Sequence, residues 1–171
     1  MTTSFLSDAF AHHVWATERL IDACTVLTPD QLNAPAAGTY GSIIATLRHL
    51  VSSDCWYLAF FPSVGPTEAI DEEADVSLGE LRSAITSNGA AWTRLLAAEA
   101  DPELDVPEHG DGWEVHAPLG FRLAQVIHHG TDHRSQVCTA LTNLGLTPPE
   151  IDVWAYGDAT DRTRSVRAPA P

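Results

Sequence analysis

Four stretches of this 171-residue chain carry apolar residues at three- and four-residue steps, and each is closed off by a capping or breaking signal. That pattern makes the body of the fold helical. The first stretch runs from about Ser4 to Leu27, with Leu6, Phe10, His13, Thr17, Leu20, Cys24 and Leu27 on one face, and stops at Pro29. Thr28 and Gln31 around Pro29 read as a capping box, so a short extra turn is expected before the Ala/Pro/Gly loop at 34–41. Ser42 is the expected N-cap of the second helix, "SIIATLRHLVSSDCWYLAFF", which reaches Pro62 and is apolar on most sides, as a central helix would be. Residues 63–76 are acidic and contain Pro and Gly, the composition of a solvated crossover loop. Ser77 and Glu80 make a second capping box, opening a third helix with Leu78, Leu81, Ile85, Trp92, Leu95 and Leu96 on its buried face and Pro102 at its end. "LDVPEHGDGWEVHAP" then holds two β-prone runs about a Gly/Asp turn, a small hairpin. The fourth helix spans Leu119 to Asn143 or Leu144, with Gly145 just beyond it, and "LTPPEIDVWAYGDA" adds a turn and a short helix. Together these predict an all-α, four-helix bundle with a long crossover loop and a hairpin-like excursion before the last long helix. It forms a single domain over residues 1–160, followed by a disordered tail at 161–171.

A chain of this length buries a core without a disulfide or a structural metal. Asp and Glu total 23 against nine basic residues, all arginine, for a formal net charge of -14. Phosphate backbones and anionic membranes are repelled by such a surface, and the densest basic group is only Arg162, Arg164 and Arg167, so neither a nucleic acid nor a membrane is an expected partner. No apolar run reaches the ~20 residues of a membrane-spanning helix. Cys24, Cys55 and Cys138 are odd in number and far apart in apolar helical context, which reads as reduced core thiols. With no signal-peptide pattern at the start, a cytoplasmic location is expected. The five tryptophans are expected in the core and at interfaces.

The stretch "HHGTDHRSQ", residues 128–136, is where chemistry enters. On a helix each residue turns the side chain by about 100°, so His129 and His133 share a face and His128 points away. Gln125 and Gln136 extend that face into a polar stripe. His49 sits in the middle of the most apolar helix, where an imidazole is costly to bury without a partner. Three neutral imidazoles from two helices would make a metal site with a vacancy for substrate; hydrogen-bonded or surface histidines are the plainer reading. Zinc suits such ligands best, and nickel or iron would also bind. Gly130 follows His129 where a zincin has its catalytic Glu, which argues against that class of protease.

Three segments resemble the DinB/YfiT-like superfamily of four-helix metalloproteins, over nearly the whole chain: "HHVWATERLIDA", "GSIIATLRHLVSSDCWYL" and "HHGTDHRSQVCTALTNLGLTPPEID". The last carries the signature HxxxHRxQ. The resemblance implies that His49, His129 and His133 are the metal ligands, and that the connection between the second and third helices is long. Ser135 stands where the family often has Gly, and His13 where it often has Asn, so His13 either lines the same cavity or packs. Asp54 is either a partner that orients an imidazole or half of an inter-helix ion pair. Asp132 and Arg134 are expected in helix packing or ion pairing, with gripping a substrate carboxylate as a second role for Arg134. His109 and His116 are expected to be solvated on the hairpin.

Relatives of this kind include enzymes that use low-molecular-weight thiols, mycothiol or bacillithiol, in S-transfer or isomerisation. The resemblance therefore implies a metal-dependent thiol S-transferase with a small thiol and an electrophile as partners. The alanine-rich, lysine-free composition, as GC-rich coding produces, points to mycothiol of the two. A hydrolase using metal-activated water, and a non-catalytic stress-response bundle with a structural ion, are the alternatives. Pairing into a homodimer through helix faces is a further expectation from the resemblance.

Overall fold

The capping signals read from the sequence form their hydrogen bonds. The computed structural model describes residues 6–61, 64, 69–98 and 100–167. In it, helix α1 spans Ser7–Cys24, α2 Pro29–Asn33, α3 Ile43–Ala59, α4 Leu78–Leu96, α5 Leu119–Asn143 and α6 Val153–Ala159. Strands β1 (Asp105–Gly110) and β2 (Trp113–Pro118) pair antiparallel between α4 and α5. Among the described residues the molecule is thus mostly helical, with six helices and one small two-stranded sheet.

Thr28 and Gln31 close a reciprocal box at the start of α2, Ser77 and Glu80 another at α4, and the Ser42 hydroxyl accepts from the Ala45 N–H at α3. Each supplies a partner to an N–H that the helix itself cannot satisfy. At the far end of α5 the Gly145 N–H bonds to the Thr142 carbonyl and the Leu146 N–H to the Leu141 carbonyl. Gly145 sits at φ 77°, the left-handed conformation that this stop requires.

Three boundaries differ from expectation. α1 ends at Cys24 rather than Leu27, because the Thr25 hydroxyl and N–H both turn back onto the Asp22 carbonyl. α3 ends at Ala59, where the Phe60 and Phe61 N–H groups tighten to three-residue bonds, while Pro62 lies outside the described residues. α4 ends at Leu96, well before Pro102. Ser4 and residues 168–171 of the expected tail also lie outside the described residues, as do 63 and 65–68 of the crossover loop.

The long helices meet pairwise: α1 packs on α4 and α5, and α3 packs on the same two. Their apolar faces form two clusters. One contains Leu20, Ile21, Leu47, Val51, Ile85 and Val137; the other contains Phe10, Leu58, Trp92, Leu123 and Val126. On every long helix the buried residues between the two clusters include a polar side chain or a glycine: His13 and Thr17 on α1, Asp54 on α3, Asn88 on α4, and Gly130 and Arg134 on α5, beside the apolar Ala16 and Cys55. A polar layer therefore divides the core. The hairpin is clamped to α5 by Arg122, whose Nε donates to the Val106 carbonyl at 2.8 Å and Nη2 to the Val115 carbonyl at 3.0 Å.

The crossover segment is not simply solvated. Val64 is buried, and Ile70 and Val76 pack against the first cluster, so this acidic stretch is pinned to the helices by its apolar residues.

Candidate metal centre

α5 places His129 and His133 one turn apart, and α3 brings His49 to face them. One ring nitrogen from each lies within 4.8 Å of the other two. The rings stand edge to face, with centroids 5.0 Å apart for His49 and His129, 4.7 Å for His49 and His133, and 4.4 Å for His129 and His133. His128 is exposed on the opposite side of α5.

The outward nitrogens of two of these rings are held. His49 Nδ1 donates to both oxygens of Glu72, at 3.1 and 3.2 Å, and His133 Nδ1 donates to Gln136 Oε1 at 3.1 Å. Gln136 Oε1 also accepts the Tyr40 N–H at 2.9 Å, and two donors converging on one atom identify it as the amide oxygen. Those bonds put the ring proton of His49 and of His133 on Nδ1 and leave Nε2 of each unprotonated. His129 Nε2 lies 3.1 Å from His49 Nε2, while its buried Nδ1 has no hydrogen-bond partner among the described residues.

Two loops complete the surroundings. Tyr40 stacks on His49 and donates its hydroxyl to Glu72 at 2.6 Å; Ser52 donates to the same carboxylate at 3.3 Å. Burial pushes the Glu72 carboxyl up, but the bonds from Tyr40, His49 and Ser52 outweigh it, so its pKa lies below the usual range. Neither Tyr40 nor Glu72 was among the residues singled out from the sequence. Each lies in a loop whose path periodicity does not specify, and the run of acids around Glu72 gave no sign which one turns inward.

Burial, then repulsion by His133 and His49, pulls His129 down to about 4. Burial also lowers His133. Neutral imidazoles are the ligand-competent form at neutral pH. A cation bound by tetrahedral imidazoles at about 2.0–2.1 Å sets its nitrogens roughly 3.4 Å apart; the His49 and His129 Nε2 atoms are 3.1 Å apart, and all three donors lie within 4.8 Å of one another. Three nitrogen donors and two anchored outer nitrogens fit a divalent ion of the zinc, nickel or iron type.

The family model described as the DinB family matches residues 1–166. The chain belongs to the DinB family. No curated protein is similar enough to count as a match.

Elsewhere in this DinB-family chain, the residues flanking the histidine cluster form a separate network. Asp54 does not touch His49. It is 1 % exposed and accepts from His13 Nε2 at 3.0 Å and from Trp92 Nε1 at 3.2 Å. The 100° step that turns it away from His49 points it at α1 and α4 instead. His13 is fully buried, and its Nδ1 accepts from Arg134 Nη1 at 2.9 Å, so it packs within the polar layer rather than lining the histidine cluster. Arg134, 3 % exposed, also reaches Thr17 and Thr131; burial lowers its pKa to about 10. It is committed to helix packing and does not offer its guanidinium to a substrate. Asp132 is exposed.

His109 and His116 are exposed on the hairpin and paired with Glu114 and Asp105. Cys24 and Cys55 are buried, Cys138 is half-buried, and all three are free thiols pushed up by burial. Of the tryptophans, Trp92 is in the core, Trp113 and Trp154 are exposed, and Trp56 lines a cavity beside His49 and His129. No helix among the described residues is long and apolar enough to cross a membrane.

Proposed function

We propose that this DinB-family protein is a metal-dependent enzyme that activates a low-molecular-weight thiol of the mycothiol type for transfer to an electrophile. His49, His129 and His133 hold the divalent ion, with zinc preferred over nickel or iron, at the centre of a four-helix bundle formed by α1, α3, α4 and α5. The observation that carries this reading is the approach of one nitrogen from each ring to within 4.8 Å of the other two, from two separate helices. When bound, such an ion supplies Lewis acidity, lowering the pKa of a thiol so that its sulfur becomes nucleophilic at neutral pH. Glu72 and Tyr40 fix the tautomer and plane of His49, and Gln136 does the same for His133. Beside His49 and His129 a cavity of about 470 Å³ gives a cosubstrate room to approach.

Hydrolysis by activated water is the weaker reading on this site. A metal alone can lower the pKa of bound water, but the Glu72 carboxylate in the cavity wall, which would assist as a base, is engaged by Tyr40, His49 and Ser52.

The test is elemental analysis of protein purified without a histidine tag, followed by a panel of thiols offered with an electrophilic arene. About one ion per chain is expected, with consumption of the electrophile only when thiol and metal are both present, and loss of both in His129→Ala. Thiol-independent hydrolysis would favour the second reading. Retained metal with no turnover of any kind would leave a non-catalytic bundle.

A further inference from the structure

The cavity beside the histidine cluster has a chemical character of its own. From His49 along α3, Ser52, Ser53 and Trp56 follow at three, four and seven positions and so share one face, which forms the floor of that 470 Å³ space. Tyr57 and Ile70 wall it. The space is open to solvent on one side and large enough to receive a small organic group.

Trp56 is 47 % exposed yet not loose. Its ring stands edge-on to Tyr57, centroids 5.1 Å apart, and to Phe60 at 4.7 Å. These contacts restrain the indole where it lines the space, and about half of its surface stays uncovered. A fixed, half-open aromatic surface is a stacking platform for another ring.

Charge narrows the choice. Among the described residues that line the space, the only full charge is the Glu72 carboxylate, and its oxygens are taken up by Tyr40, His49 and Ser52. The neighbouring arginines are occupied elsewhere: Arg48 bonds to Asp75 and to the Val76 carbonyl, and Arg134 lies in the polar layer. In the metal-free protein a carboxylate or phosphate entering here finds no free counter-charge and meets Glu72 and a chain of net charge -14. A cation is drawn by that same charge but must compete with Tyr40, His49 and Ser52 for the Glu72 oxygens.

We infer that this pocket receives an uncharged, ring-bearing group and that Trp56 determines that preference. In the proposed reaction that group belongs to the electrophile; only this assignment rests on the metal-thiol reading, since the pocket itself needs no ion.

The test is an NMR titration of the full-length, zinc-free, ¹⁵N-labelled protein with benzyl alcohol, benzoate and benzylamine, with zinc binding measured separately afterwards. The Trp56 indole N–H, assigned by its loss in Trp56→Phe, is the reporter in the parent protein, and backbone amides along α3 report in the variants. Benzyl alcohol is expected to shift the reporters and to bind at least tenfold more tightly than benzoate or benzylamine. Trp56→Ala is expected to weaken it at least tenfold, while Trp56→Phe retains most of the affinity. Equal or tighter binding of either charged probe, silence of the reporters, or unchanged affinity in Trp56→Ala would overturn the inference. Failure of zinc to bind in the same samples would overturn the metal reading and leave the pocket result standing.

Discussion

Tyr40 lies flat against His49, ring centroids 4.0 Å apart and planes 13° apart, and its hydroxyl reaches the same Glu72 carboxylate that accepts from His49 Nδ1. One imidazole is thus gripped on its face and at its outer nitrogen by residues from two different loops. The Gln136 amide ties the Tyr40 loop in turn to His133. An arrangement that fixes a tautomer and a ring plane has most of its energetic consequence when the inner nitrogen binds something.

Glu72→Ala is therefore expected to weaken zinc binding by about 10–100-fold, the usual cost of removing such a supporting partner. Glu72→Gln keeps an acceptor for His49 Nδ1 and should lose less. Tyr40→Phe keeps the stack but drops the hydroxyl, so its effect should also be the smaller. Competition against a chromophoric chelator measures all three. Equal affinities across the set would mean that the two loops merely cover the site.

Removing a ligand should act differently. His129→Ala or His133→Ala should abolish stoichiometric zinc while leaving the helical circular dichroism of the metal-free protein intact, because the apolar clusters do not depend on either ring. Added zinc should raise the melting temperature of the parent protein and not of these variants, since only a species that binds the folded state stabilises it.

Cys24 gives a pH dependence away from the site. Burial, with a smaller contribution from Cys138, pushes its thiol from 9.0 to about 12 in the folded protein. A group raised in this way contributes stability that is complete below pH 9 and is lost as the pH climbs toward 12, because only the unfolded chain releases the proton readily. Denaturant unfolding across that window should show a downward slope that Cys24→Ala lessens. Folded protein should also resist alkylation at Cys24 at pH 8, whereas rapid labelling there would show the thiol to be accessible.

What the sequence revealed follows from which interactions are local. Thr28, Ser42 and Ser77 cap their helices through partners three residues on, so one window of sequence contains the whole interaction. His129 and His133 needed only the helical step, and Asp111 with Gly112 marked the turn of the hairpin. His49 was legible as an imidazole out of place among apolar neighbours. Tyr40 and Glu72 were not, because each depends on where a loop crosses a helix 9 or 23 residues away in the chain. Asp54 and Arg134 were visible as charges within helices, but their bond through His13 joins three helices that no spacing rule relates.

The polar layer makes those last two charges interdependent. Asp54→Ala leaves a buried guanidinium facing His13 without the carboxylate beyond it, and should cost about 3–5 kcal/mol, as breaking a buried ionic arrangement does. Replacing Asp54 and Arg134 together by apolar residues of similar volume should recover much of that loss. Urea unfolding of the two singles and the double gives the coupling; additive losses would show that the charges are solvated independently.

Gly130 tests the same layer by geometry. It lies between the two α5 histidines, and a Cβ added there would sit 2.4 Å from His13 Cε1 and 2.9 Å from Arg134 Nη1. On an exposed helix, glycine to alanine gains about 1 kcal/mol from backbone entropy. Here the same change drives a methyl into a ring held at both nitrogens, by Asp54 and Arg134, that has nowhere to swing. Overpacking of this kind costs about 1–3 kcal/mol, enough to cancel or reverse the gain. Gly130→Ala is therefore expected to lose stability, and to weaken zinc binding as well, because the displaced turn of α5 carries His129 and His133. Shortening His13 to Ala removes the atoms in conflict, so the double variant should be more stable than the sum of the two single losses predicts. Strict additivity would mean that α1 and α5 part to admit the methyl at no cost to the ring, and that the layer does not set the spacing of these helices.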